Sequence, residues 1–167
     1  MEALLRIGVQ WLHVTAGVLW MGGGVYSILV QLPALLAVAP AARGPAMAQL
    51  APRQLRYIFR VAEITIATGL LNLFVSGRAG ELTRLDTRWS WGILAGILLA
   101  VGIYGFSRGR LAPWVFRMLA LGPKAAGGDT AAAAEAGALL GQIRRFGYIQ
   151  IVVGALILLA MVTARFS

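Results

Sequence analysis

The sequence predicts an all-α integral membrane protein: one domain folded as a four-helix bundle. Three observations predict it. Hydrophobic residues fill 59% of the 167 positions, against roughly 45–50% in soluble domains. Charged residues fill only 13%, about half the usual share. Four stretches approach or exceed the ~20 largely apolar residues that cross a hydrocarbon core. Backbone polar groups in lipid must be satisfied internally, and no strand alternation or Asn-Gly hairpin signal competes with helices.

The first span covers about residues 7–32, with Pro33 kinking or ending it. The chain before it reads as part of a span rather than as a cleaved signal. Glu2 precedes Arg6, and the apolar run outlasts the ~7–15 residues of a signal core. Ala37, Ala39 and Ala41 read as a helix end followed by a loop, and Pro40, Gly44, Pro45 and Pro52 mark that loop. The second span covers about 55–75. A loop with Gly77, Gly80, Arg78, Glu81, Arg84, Asp86 and Arg88 follows. The third span, about 89–106, is the shortest.

The connection 107–145 is long and holds Pro113, Pro123 and Gly127-Gly128. Trp114, Val115, Phe116, Met118 and Leu119 suggest a short interfacial segment. Asp129 or Thr130 can cap a helix with Glu135 in an early turn. That helix is expected to run unbroken into the fourth span, about 146–164, and to project from the membrane.

Basic residues set orientation. Arg43, Arg53, Arg56, Arg60, Arg108, Arg110, Arg117, Lys124, Arg144 and Arg145 share one side. Arg6, Arg78, Arg84, Arg88 and Arg165 share the other. The richer side is expected to be cytoplasmic, in a bacterial inner membrane, with both termini outside and Trp11, Trp89 and Trp91 in an outer aromatic belt. This distribution accounts for the net charge of +9 by contact with anionic lipid, so nucleic acid is not an expected partner. Membrane lipids are, together with other membrane subunits or further copies of the chain.

The absence of cysteine excludes disulfides, thiol catalysis and Cys-ligated clusters. The single histidine excludes any metal site needing two from one chain. No phosphate loop, dinucleotide fingerprint or H-E-x-x-H motif is present.

A polar residue at membrane depth is costly and marks a candidate site. Gln10, His13, Gly17, Trp20, Gly24, Ser27 and Gln31 recur at steps of three and four, so they share one face of the first helix. His13 is the one imidazole available as an axial haem ligand, with Gly17 leaving room for a ring; a histidine hydrogen-bonded near a helix end is the structural alternative. Met161, at comparable depth in the fourth span, is a candidate second ligand, and Met21 another; both are ordinary packing residues otherwise. Arg56, Arg60 and Glu63 share a face of the second span. The arginines could meet propionates or lipid phosphate, and Glu63 could carry protons or neutralise Arg60. Thr65, Thr68 and Asn72 line one face and suit interhelical hydrogen bonds. Gly92-x-x-x-Gly96 and Gly137-x-x-x-Gly141 are small-residue packing patterns. Tyr104, Tyr148 and Gln150 read as span-end anchors or site residues.

The run from Trp11-Leu12-His13 through Trp20-Met21-Gly22-Gly23 to Leu32-Pro33-Ala34-Leu35 resembles the opening helix of the copper-resistance protein D (CopD) family. Arg56 to Arg60 followed by Ala67-Thr68-Gly69 is similar to that family's second helix. The same four-helix plan resembles HemJ-type protoporphyrinogen oxidases, which are associated with porphyrin oxidation and haem binding. The resemblance implies His13 as the functional histidine, Trp20 as its partner on the first helix, and Arg53 or Arg56 as the basic residue opening the second. The lysine of the third helix in HemJ-type proteins has no counterpart, because the stretch 91–106 holds neither Lys nor Arg.

The leading expectation is therefore a b-type-haem- or porphyrin-binding membrane protein in a redox or electron-transfer setting. His13 would ligate iron, Gly17, Trp20 and Gly24 would shape the pocket, and Arg56 or Arg60 would meet propionates. A non-catalytic subunit of a larger membrane complex is the alternative. A small transporter, suggested by Glu63 and the polar face of the first helix, is the third.

Overall fold

A computed structural model describes residues 1–166. The fold is an all-α bundle with four helical runs long and apolar enough to cross a membrane. The first run is α1 (Glu2–Tyr26), a π-helical turn (Ser27–Gln31) and α2 (Leu32–Ala37). It turns back at Val38 and Ala39 into α3 (Pro40–Val75). A short 3-10 segment (Ala79–Thr83) leads to α4 (Arg88–Phe106), a second π-helical turn (Ser107–Leu111) and α5 (Ala112–Ala126). The last helix is α6 (Thr130–Arg165).

Both π turns are built alike. Each opens on a serine whose hydroxyl donates to the carbonyl four residues back, Ser27 to Gly23 at 2.5 Å and Ser107 to Ile103 at 2.7 Å. Each is followed by a proline near the start of the next helix, Pro33 and Pro113. Proline lacks an N–H and crowds the carbonyl one turn back, so a wider turn just before it relieves both problems. Pro33 therefore does not end the first run: a π turn precedes it, and the helix continues beyond it.

The proline-marked first loop is a correction. Pro40 opens α3, and Pro45 and Pro52 lie inside it. Tertiary packing overrides local propensity here. Met47, Ala51 and Leu55 on this stretch pack against Val115, Met118 and Ile143. The corner before α3 is closed by Arg43, which donates to the carbonyls of Leu36 (2.6 Å) and Val38 (3.1 Å).

The connection 107–145 is likewise mostly helical, because α5 carries the line of α4 past its π turn. α6 is unbroken, as expected, with Asp129 as its cap: the carboxylate accepts from the Ala132 N–H at 2.9 Å. Asp129→Ala is expected to cost about 1 kcal/mol, seen as a lower unfolding midpoint in detergent, with Asp129→Asn restoring most of it. At 1.5 Å per residue, the 36-residue helices α3 and α6 run ~54 Å, well beyond a ~30 Å hydrocarbon layer. At the arginine-rich end of these helices, Arg117 pairs with Glu135 at 2.8 Å and ties α5 to α6.

At the opposite end, Arg78 pairs with Glu81 and lies 4.0 Å from the centre of the Trp89 ring. The fully buried Ser90 donates to the Glu81 carbonyl, and the Thr87 hydroxyl caps α4 by accepting from the Ser90 N–H at 3.1 Å.

The two halves of the chain repeat one plan. Each has a helix, a serine-led π turn, a proline-started continuation and a returning 36-residue helix. The pattern Tyr26-Ser27 to Pro33 recurs as Phe106-Ser107 to Pro113, and Gln54-Leu55-Arg56 recurs as Gln142-Ile143-Arg144. α1 packs chiefly on α3, and α4 on α6. The halves meet where α1 touches α6 and where α3 touches α4 and α5. Trp20, Val61, Ala62, Ile103 and Phe146 form the core between them.

Candidate functional site

His13 lies in the α1–α3 seam. Its Nδ1 is 2.9 Å from the Thr65 carbonyl oxygen. A carbonyl only accepts, so Nδ1 is the donor, and the tautomer this selects for a neutral ring has its lone pair on Nε2. Nε2 has no hydrogen-bond partner among the described residues. The imidazole rests on Gly69, where an added Cβ would stand 2.7 Å from the ring Cε1. Gly69 is thus the notch that admits the ring, a role the sequence reading missed. The Ala67-Thr68-Gly69 run was its only signal.

The neighbours of this seam follow the expected helix face. Gly17 sits opposite the Thr65 methyl. Thr65 and Thr68 are buried, with their hydroxyls donating back to the Val61 and Ile64 carbonyls. Asn72 donates to the side-chain oxygen of Gln10, one turn further toward the termini. Gln10, His13 and Ser27 of that face therefore find partners on α3.

Trp20 is 6% exposed and sits in the central core. Gly24 lines both voids of the interior rather than the His13 seam. Arg56 and Arg60 are exposed. At 100° per residue, Arg56 stands about 180° and Arg60 about 140° around α3 from Thr65, and Arg60 about 180° from Gly69, so neither shares the face of α3 that meets His13. Met161 occupies a different seam, its methyl seated at Gly96 on α4. Met21 seats against Gly154 on α6 in the same way. The structure thus gathers His13 and Gly17 with Thr65 and Gly69, sets Trp20 and Gly24 deeper in the bundle, and puts Met161 elsewhere.

Glu63 is exposed and accepts from the Tyr104 hydroxyl at 2.6 Å. Its partner is a phenol on α4, not Arg60. Arg108 lies 4.8 Å from the centre of the Phe59 ring on the same side of the bundle.

A cavity of about 130 Å³ opens between the two π turns. A second void of about 10 Å³, the room of one water, lies beside Trp20, Met21 and Gln150. A cavity of roughly 150 Å³ accommodates benzene, so the larger void is ring-sized and too small for a tetrapyrrole. His13 does not line it. Among the described residues no three His, Asp or Glu side chains come together as a metal site.

No protein-family model, curated protein or solved structure matches the chain. What the site can do is argued from its own chemistry. The His13 donor fits an iron: a ligating imidazole characteristically donates its other nitrogen to a carbonyl or carboxylate, which fixes the tautomer and raises its basicity. Among the described residues neither of the two voids is tetrapyrrole-sized, and neither Met21 nor Met161 faces that donor.

Proposed function

We propose that the protein is an integral membrane haem- or porphyrin-binding component of a redox or electron-transfer system, of CopD- or HemJ-like type, with His13 as iron ligand. The observation that carries this reading is the orientation of His13. Its Nδ1 proton is committed to the Thr65 carbonyl and its Nε2 lone pair is unpartnered within the described residues. The ring is half-exposed and Nε2 is not a buried atom, so it is open to a ligand from outside the chain. Bound haem would supply one-electron chemistry, with its potential tuned by the ligand and its burial.

The chain's own residues have defined tasks in this reading. Thr65 holds the imidazole through its backbone, so the ligand atom keeps one orientation. Gly17 and Gly69 keep side chains out of the seam, and Trp20 closes the bundle below it. Arg56 or Arg60 would meet a propionate only at the rim of a site completed from outside the chain, since both point away from the His13 face of α3. The second wall, and any second ligand, come from another copy of the chain or from a partner subunit. The arginine-rich end faces the cytoplasm of a bacterial inner membrane, and both termini lie outside.

A second reading, as a non-catalytic subunit of a membrane complex, is favoured by the exposure of α1. It is the least covered of the four spanning runs, and a neighbouring chain's donor could satisfy Nε2. Haem extracted from protein purified in mild detergent and quantified per chain separates the two. The haem reading expects between one haem per chain and one per two chains. Less than about a tenth of that, with fixed protein partners co-purifying from haem-sufficient cells, supports the subunit reading instead.

A further inference from the structure

The cavity between the π turns lies apart from His13, and its walls come from matched places in the two repeats. Ser27 and Ser107 both line it, as do Leu35 and Val115, and Leu55 and Ile143. Membrane proteins built from repeats commonly bind their small molecules where the repeats meet. A helix broken by a π turn is frequent at functional positions. Here both breaks face one space.

The lining selects a class of ligand. It is mostly aliphatic and aromatic, with Phe59 offering a ring, and none of the lining residues is charged. A charged ligand would therefore be desolvated without a counterion. The polar lining is neutral amide and hydroxyl. Ser107 spends its proton on the Ile103 carbonyl, and Gln54 donates to Ser27, which donates to Gly23. The amides of Gln31 and Gln150 have no hydrogen-bond partner among the described residues, though each lines the cavity. Both residues are half-buried, so two amides at the cavity wall are available to hydrogen-bond an oxygen of a ligand.

The geometry points to a binding site for the ring of an uncharged, lipid-soluble quinone or phenol, hydrogen-bonded through its oxygens by Gln31 and Gln150. The volume admits one six-membered ring, and a hydrophobic tail would lie along the apolar helices outside.

The test uses the full chain in detergent micelles, titrated calorimetrically with methyl-1,4-benzoquinone against protein-free micelles. Toluene (no oxygen) and benzoate (charged) are the comparison ligands. Saturable binding near one per chain is expected, tighter for the quinone than for toluene, and absent for benzoate. Gln31→Leu combined with Gln150→Leu is expected to weaken quinone binding about tenfold or more while leaving toluene unaffected. Ala51→Phe, which fills the cavity, is expected to abolish both; because Ala51 also packs against Val115, Met118 and Ile143, the double glutamine variant alone decides if the unfolding midpoint falls. Heats no larger than those of empty micelles, equal affinity for quinone and toluene, or an unchanged quinone affinity in the double variant would each overturn the assignment.

Discussion

Replacing His13 with alanine is expected to yield protein that folds and purifies normally but carries less than a tenth of the haem of the unaltered chain. The imidazole is the chain's only one, so no other side chain can take over the same ligation. Folding should survive because the ring sits in the seam as a half-buried group, with a single hydrogen bond to α3. Loss of that bond is worth about 1 kcal/mol, a minor change in a seam where α1 packs on α3 along much of its length. Helical content by circular dichroism should therefore be unchanged while the Soret absorption disappears. A Gly69→Val variant should mimic the effect without touching the ligand, because its side chain would occupy the place of the imidazole. Haem retained in both variants would place any haem away from this seam.

Gly92→Val is expected to be the most damaging single substitution for the fold itself. A Cβ at Gly92 would stand 2.7 Å from the Ala160 carbonyl oxygen and 3.0 Å from the Ala164 Cβ. These atoms are backbone or fixed close to it, so α4 and α6 must separate to admit the larger side chain. Overpacking of this kind costs about 1–3 kcal/mol or more, in the seam that holds the second half of the chain together. Gly96→Ala meets only the mobile end of Met161 and should cost less. Gly102→Ala has open space around it and is expected to be neutral or slightly stabilising, since alanine favours a helix by up to ~1 kcal/mol over glycine. Unfolding midpoints in one detergent should rank Gly92→Val lowest and Gly102→Ala highest.

The elements most legible in the sequence were those written in hydropathy and capping chemistry. The four spans follow from long apolar runs, and α6 follows from Asp129 and the uninterrupted alanine-rich segment after it. Gly92-x-x-x-Gly96 marks a real close approach of helices. Gly137-x-x-x-Gly141 has the same spacing, yet both glycines face open space, because spacing alone does not say which face meets a neighbour. Pro40, Pro45 and Pro52 read locally as a loop, but packing of Met47, Ala51 and Leu55 keeps the segment helical. The repeat was harder to see. Its signal is confined to an aromatic-Ser pair, a proline six positions after the serine, and a Gln-aliphatic-Arg triplet, while the intervening apolar residues interchange freely. The candidate site was legible as a helix face but not as a pocket. His13 and Gly17 share their seam with Thr65 and Gly69, whereas Gly24 belongs to the cavity. Which neighbour Glu63 chooses depends on how α3 and α4 are rotated, and the sequence does not encode that locally.

The central claim, that His13 presents a ligand nitrogen to haem, is tested most directly by a reduced-minus-oxidised absorption spectrum of the protein purified in mild detergent from haem-sufficient cells. The account predicts a b-type difference spectrum in the unaltered chain that is absent from His13→Ala prepared in parallel. A well-folded protein without that signal, or a signal of equal size in both preparations, would contradict it.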